Sequence, residues 1–102
     1  MIHVVAIISL QPGKRDAFLK EFHANIPNVL KEKGCIEYGP TVDAATDHPA
    51  QAKAGPDTVV VIEKWATMDD LKAHGVAPHM KAYAAKTKDW VASRKIHMLS
   101  PA

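Results

Sequence analysis

One stretch limits what this chain can fold into more than any other: residues 59–79, VVVIEKWATMDDLKAHGVAPH. It opens as a β-branched apolar run, passes a Glu and a Trp, then changes to helix-compatible sequence broken by Gly and Pro. Strand side chains alternate faces, so Val61, Glu63 and Trp65 project together while Val60, Ile62 and Lys64 project the other way. Thr67 is placed to cap a short helix, with Asp70 completing a box-like pattern and Asp69 adding favourable charge in the first turn. Leu71 and His74 share one side of that helix. Leu71 must pack on the sheet, so His74 is carried inward with it. Gly75 and Pro78 stop the helix and re-aim the chain. His79 then falls in the first turn of the next helix, where the dipole favours a neutral ring.

The rest of the chain frames this crossing. Residues 2–10 form a strand that is apolar on both faces and ends at Gln11-Pro12-Gly13. Residues 14–33 carry a helical stripe of Phe18, Phe22, Ile26 and Val29, widened by Leu19 and Leu30, with Pro27 expected to kink or split it and Gly34 to stop it. Residues 35–42 make a second strand with Ile36 and Tyr38 on one face and Glu37 on the other. Residues 43–57, DAATDHPAQAKAGPD, have no periodicity and read as a long loop that could be a lid, a dimer arm or a hairpin tip. Residues 58–65, 67–74, 78–91 and 94–99 then give a strand, two helices and a last strand, with Met80, Tyr83, Ala84, Thr87 and Val91 as the buried helical face. The order βαββαβ predicts an α+β, ferredoxin-like antiparallel sheet with helices on one face, formed by a single domain over residues 1–102. The second sheet face is still apolar, which predicts a homodimer joined through it.

Composition narrows the function classes. The formal charge is +2, from 13 basic and 11 acidic residues that are interspersed, with none of the clustered basic and aromatic residues of a nucleic-acid face. Lys31, Lys33, Lys86 and Lys88 lie near helix C-termini, where dipole compensation explains them. No apolar run reaches the roughly 20 residues a membrane helix needs, and Met1 leads straight into strand sequence, so a cytoplasmic location without membrane contact is expected. One cysteine, Cys35, excludes an internal disulfide and a cysteine-based zinc site. His74 and His79 are five apart across a Gly/Pro break, unlike the one-turn spacing of helical metal ligands, and no metal site is expected.

The run Glu63-x-Trp65, Leu71, His74, Ala77-Pro78-His79-Met80 and Tyr83, with the Pro12-Gly13-Lys14 turn and Gly34-Cys35-Ile36-Glu37-Tyr38, resembles the antibiotic biosynthesis monooxygenase family over nearly the whole chain. That resemblance implies a dimeric α+β barrel and, from its quinol monooxygenase members, oxidation of a small aromatic hydroxyl compound by dioxygen without a cofactor. The loop at 43–57 looks longer than the family's usual connection. On this reading His74 or His79 is the base, Glu63 orients an imidazole, and Trp65, Tyr38 and Tyr83 hold the substrate ring. Each residue also has a plain structural role: Trp65 as a core aromatic, Glu63 as an ion-pair partner, His74 as a helix cap. The same set would serve an isomerase of a small phosphorylated carbonyl compound, a haem-binding or haem-degrading protein with His74 as axial ligand, or a dimeric module that only binds a metabolite.

Overall fold

The computed structural model describes residues 1–102. In chain order the elements are β1 (Ile2–Leu10), α1 (Arg15–Leu30), β2 (Cys35–Thr41), β3 (Thr58–Trp65), α2 (Met68–Gly75), α3 (Pro78–Thr87), a 3₁₀ turn (Lys88–Trp90) and β4 (Val91–Leu99). The strands form one antiparallel sheet in the order β2-β3-β1-β4, which does not close on itself. This is the expected ferredoxin-like α+β fold. No helix is long and apolar enough to cross a membrane.

The faces of the two central strands are set by register. Val4 pairs with Glu63, Ala6 with Val61 and Ile8 with Val59. All six are buried, so this parity carries the core under the helices. The opposite parity, Val5, Ile7, Val60 and Ile62, is only half-buried. Phe18, Phe22, Asn25 and Val29 of α1 pack onto the covered face. There Phe22 stacks on Tyr38 with ring centroids 5.1 Å apart, and Tyr83 of α3 meets Phe18 and Phe22 edge-on at 6.0 Å. Close packing of these rings fixes where α3 lies relative to α1.

Several local expectations need correction. Helix α1 runs unbroken through Pro27 and is not split there. Pro27 and His23, whose carbonyl loses its donor, both sit on the exposed side, where solvent satisfies what the missing N–H leaves free. Leu30 and Ala84, expected in buried stripes, are exposed. Helix α3 stops at Thr87 and β4 begins at Val91, because a 3₁₀ turn absorbs Lys88–Trp90. In β2 the register shifts between Cys35 and Glu37, so Ile36 is an exposed bulge residue and does not share the buried face of Tyr38.

The loop from Val42 to Asp57 is tied down at its base. Asp43 accepts hydrogen bonds from the backbone N–H groups of Ala54 and Gly55 at 2.8 and 2.9 Å. Those bonds hold its carboxyl below the usual carboxylate range. Gly13 N–H donates to Asp57 Oδ1 at 3.0 Å, and Arg15 Nη1 donates to the Gly55 carbonyl at 3.4 Å. The loop with Arg15 lines a shallow recess of its own; none of its residues, His48 included, borders the main cavity.

Candidate active site

The site is assembled where the end of α1 meets the β3–α2 crossing. Thr67 caps α2 as expected, its hydroxyl accepting the Asp70 N–H at 3.1 Å. The turn after α1 is pinned against this start: Gly34 accepts the Ala66 N–H at 2.8 Å. Gly34 has φ +78°, and a Cβ there would run into the Asp70 carboxyl, so only glycine lets the turn come this close. One helical turn beyond Asp70 on the same side of α2 is His74, and the carboxylate that reaches it is Glu32, from that turn.

Glu32 Oε2 accepts from His74 Nδ1 at 2.8 Å and from His79 Nε2 at 2.8 Å. The side chains of His74, Glu32 and His79 are 7%, 13% and 25% exposed. Ala77 in extended conformation and Pro78 at the first position of α3 turn the chain back, which brings His79 to the carboxylate already held by His74. With both rings donating to Glu32, the nitrogens left to act as bases are His74 Nε2 and His79 Nδ1.

The two histidines face different spaces. His74 borders a cavity of about 500 Å³, mostly hydrophobic, between the covered sheet face and helices α2 and α3. Val4, Ala6 and Val61 form part of its floor, Met68, Leu71 and Met80 part of its helical wall, and Tyr38, Tyr83, Glu63 and His74 its inner polar groups, with Lys72, Lys81 and Arg94 as exposed lining residues. His79 borders a smaller groove of about 140 Å³ between α1 and α3. The cavity's size and lining suit a small, flat apolar molecule oriented by a few polar groups.

Glu63 and Trp65 are positioned differently from expectation. Trp65 is fully buried and outside the cavity lining, so it is not a pocket wall. Its indole packs against the His74 ring with centroids 4.7 Å apart, and Nε1 donates to Glu63 Oε1 at 2.9 Å. Glu63 hydrogen-bonds this indole and neither histidine; the carboxylate that orients the imidazoles is Glu32. Burial pushes the Glu63 carboxyl up, against the indole hydrogen bond and the His74 charge, which act the other way. Burial likewise pushes the Tyr38 and Tyr83 hydroxyls up, so both remain neutral donors. Tyr38 also meets His74 edge-on at 5.4 Å. Cys35 is raised by burial and by nearby Glu32 and Glu63, which makes it a poor nucleophile. No group of three or more His, Cys, Asp or Glu is arranged to hold a metal ion.

Residues 1–86 match the antibiotic biosynthesis monooxygenase family. The chain belongs to that family. It is 43% identical over 103 aligned positions to "Probable quinol monooxygenase YgiN" of Escherichia coli K12, covering 99% of this chain and 98% of that one. A solved protein of Caulobacter crescentus CB15 is 31% identical, with TM-score 0.82 over 99% of this chain and 89% of its own. A conserved protein of Methanosarcina mazei Go1 superposes with TM-score 0.83 at 24% identity, over 99% and 92% of the two chains, which speaks for the fold alone. As a member of this monooxygenase family the protein is an oxidoreductase, and the expected family, fold and class of enzyme all stand.

Proposed function

We propose that this protein oxidises small aromatic hydroxyl compounds of the quinol type with dioxygen, using His74 as the base. The observation that carries the reading is His74 itself: buried, bordering the apolar cavity, its Nδ1 fixed on Glu32. A quinol that gives its hydroxyl proton to His74 Nε2 becomes an electron-rich anion able to reduce dioxygen itself, so the protein has to bind, deprotonate and exclude water. For a simple hydroquinone, one quinol and one dioxygen give one ring-hydroxylated quinone and one water. One oxygen atom enters the ring, the other leaves as water, and the substrate supplies all four electrons. No proton is gained or lost overall, so the proton held at His74 returns when the oxygenated intermediate breaks down. Glu63, its carboxyl pushed up by burial, is suited to hold a proton for that step. The neutral hydroxyls of Tyr38 and Tyr83 are suited to orient the substrate oxygens.

The protein acts as a homodimer in this reading, joined through the half-buried apolar strip of Val5, Ile7, Val60 and Ile62 on the uncovered sheet face. Oxygen uptake with a panel of hydroquinones tests the proposal. Uptake well above autoxidation that falls by about 100-fold or more in His74→Ala is expected. Equal uptake by the two proteins would remove His74 from the mechanism.

A further inference from the structure

The cavity has a mouth charged with one sign. Besides His74 and the buried Glu63, the titratable groups on its lining are the hydroxyls of Tyr38 and Tyr83 and three cations, Lys72 on α2, Lys81 on α3 and Arg94 on β4. All three cations are exposed. None takes part in an ion pair; the basic groups that do are Lys64, His74, His79 and Lys86. Composition does not account for this, because 13 basic and 11 acidic residues nearly balance over the whole chain. Of those acids only Glu63 reaches the cavity, and it lies on the sheet floor, away from the rim.

The three cations come from three elements on two sides of the opening. Lys72 and Lys81 descend from successive helices, while Arg94 stands on the covered face of β4, paired with Ile8. Arg94 is near enough to Tyr83 for its charge to act on that hydroxyl. A ligand whose ring lies among the apolar residues therefore presents its outer end to a Lys, a Lys and an Arg, with no carboxylate to repel an anion. Unpaired like charges around a low-dielectric cavity raise the local concentration of the opposite ion.

We infer that the substrate is an aromatic hydroxyl compound bearing an anionic, carboxylate-type substituent, which Lys72, Lys81 and Arg94 hold at the cavity mouth while the ring reaches His74. This deepens the quinol monooxygenase reading and rests on it for the chemistry. Arg94 provides a planar fork for a carboxylate and the lysines provide mobile point charges. The same three charges favour the ionised form of the ring hydroxyl and speed the entry of an anionic substrate.

Calorimetric binding of 2-naphthoate and its uncharged isostere naphthalene-2-carboxamide tests this apart from turnover, because neither reduces dioxygen. The carboxylate is expected to bind about tenfold more tightly at low salt. That advantage should shrink to about twofold at roughly 0.5 M salt, where the Debye length is only a few Å. The double variant Lys81→Gln/Arg94→Gln should lose it at low salt, and Lys20→Gln, on the exposed side of α1, should keep it. Equal binding of the two compounds, or an advantage that survives the double variant, overturns the inference. Failure of both compounds to bind overturns it as well. Oxygen uptake with an uncharged quinol, which has no anionic substituent for these cations to hold, separately decides whether the monooxygenase reading falls with it.

Discussion

Replacing Glu32 by Gln is the sharpest perturbation of the site, because the side chain keeps its size and loses only its charge. In the native protein one carboxylate oxygen accepts two imidazole N–H groups, each at 2.8 Å, from a side chain only 13% exposed. A hydrogen bond to a charged group contributes about 1.5–3 kcal/mol, against about 0.5–1.5 for a neutral one. Downgrading both bonds therefore costs about 2 kcal/mol of stability. The His74 ring also loses the anion that holds it and stabilises it once it has taken a proton. If a similar 2 kcal/mol is lost in the transition state, kcat falls about 30-fold at about 1.4 kcal/mol per tenfold. Glu32 does not border the cavity, so KM should change little. Steady-state oxygen uptake over a range of quinol concentrations, paired with urea unfolding, measures both quantities. A variant with kcat within about twofold of wild type, or one changed only in KM, would refute the assignment of Glu32 as the group that orients the base.

Three further outcomes follow from the same geometry. His79→Gln should cost at least tenfold less activity than His74→Gln in the oxygen-uptake assay, since His79 borders the outer groove and His74 the cavity. Burial holds the Glu63 carboxyl above its unfolded value, so the folded state binds its proton more tightly. The contribution is therefore fully present below the unfolded value and lost as pH rises through the folded one. Wild type should lose stability relative to Glu63→Gln over that rise, read from urea midpoints across pH; a constant difference would contradict it. Gly34→Ala places a Cβ at φ +78° against the Asp70 carboxyl, and should lower stability by about 2 kcal/mol in urea unfolding, partly restored by adding Asp70→Ala.

Where one physical rule dominates a segment, sequence and structure agree closely. The period-two run through Val59, Val61, Glu63 and Trp65 places all four on the buried parity of β3, and the three-residue spacing of Leu71 and His74 carries both inward on α2. Thr67 caps α2 because it stands in extended conformation just before the first turn, where its hydroxyl accepts the Asp70 N–H. Glu32 escapes this reasoning because the helix expected over residues 14–33 makes it one more polar end position, whereas α1 stops at Leu30 and leaves it in a turn between Lys31 and Lys33. One signal was available: an acidic residue just beyond a helix C-terminus opposes the dipole, a local misfit that calls for a specific cationic or N–H partner. Pairing it with residues more than forty positions away required the Gly34–Ala66 contact, which no local pattern encodes. Strand alternation puts Trp65 on the buried face, but the packing of α2 decides whether that face is cavity or core at the strand end. The bulge at Ile36 and the 3₁₀ turn before Val91 are one-residue and three-residue adjustments that tertiary pairing imposes on weak local preference.

Oxygenation at the His74 cavity is tested most directly by single-turnover oxidation of a hydroquinone under ¹⁸O-labelled dioxygen, comparing wild type with His74→Gln and analysing the product by mass spectrometry. The wild-type protein should place one labelled oxygen atom in each product molecule, and the variant should react slower by about two orders of magnitude. An unlabelled quinone accompanied by hydrogen peroxide, or equal rates in the two proteins, would contradict oxygenation at a cavity whose base is His74.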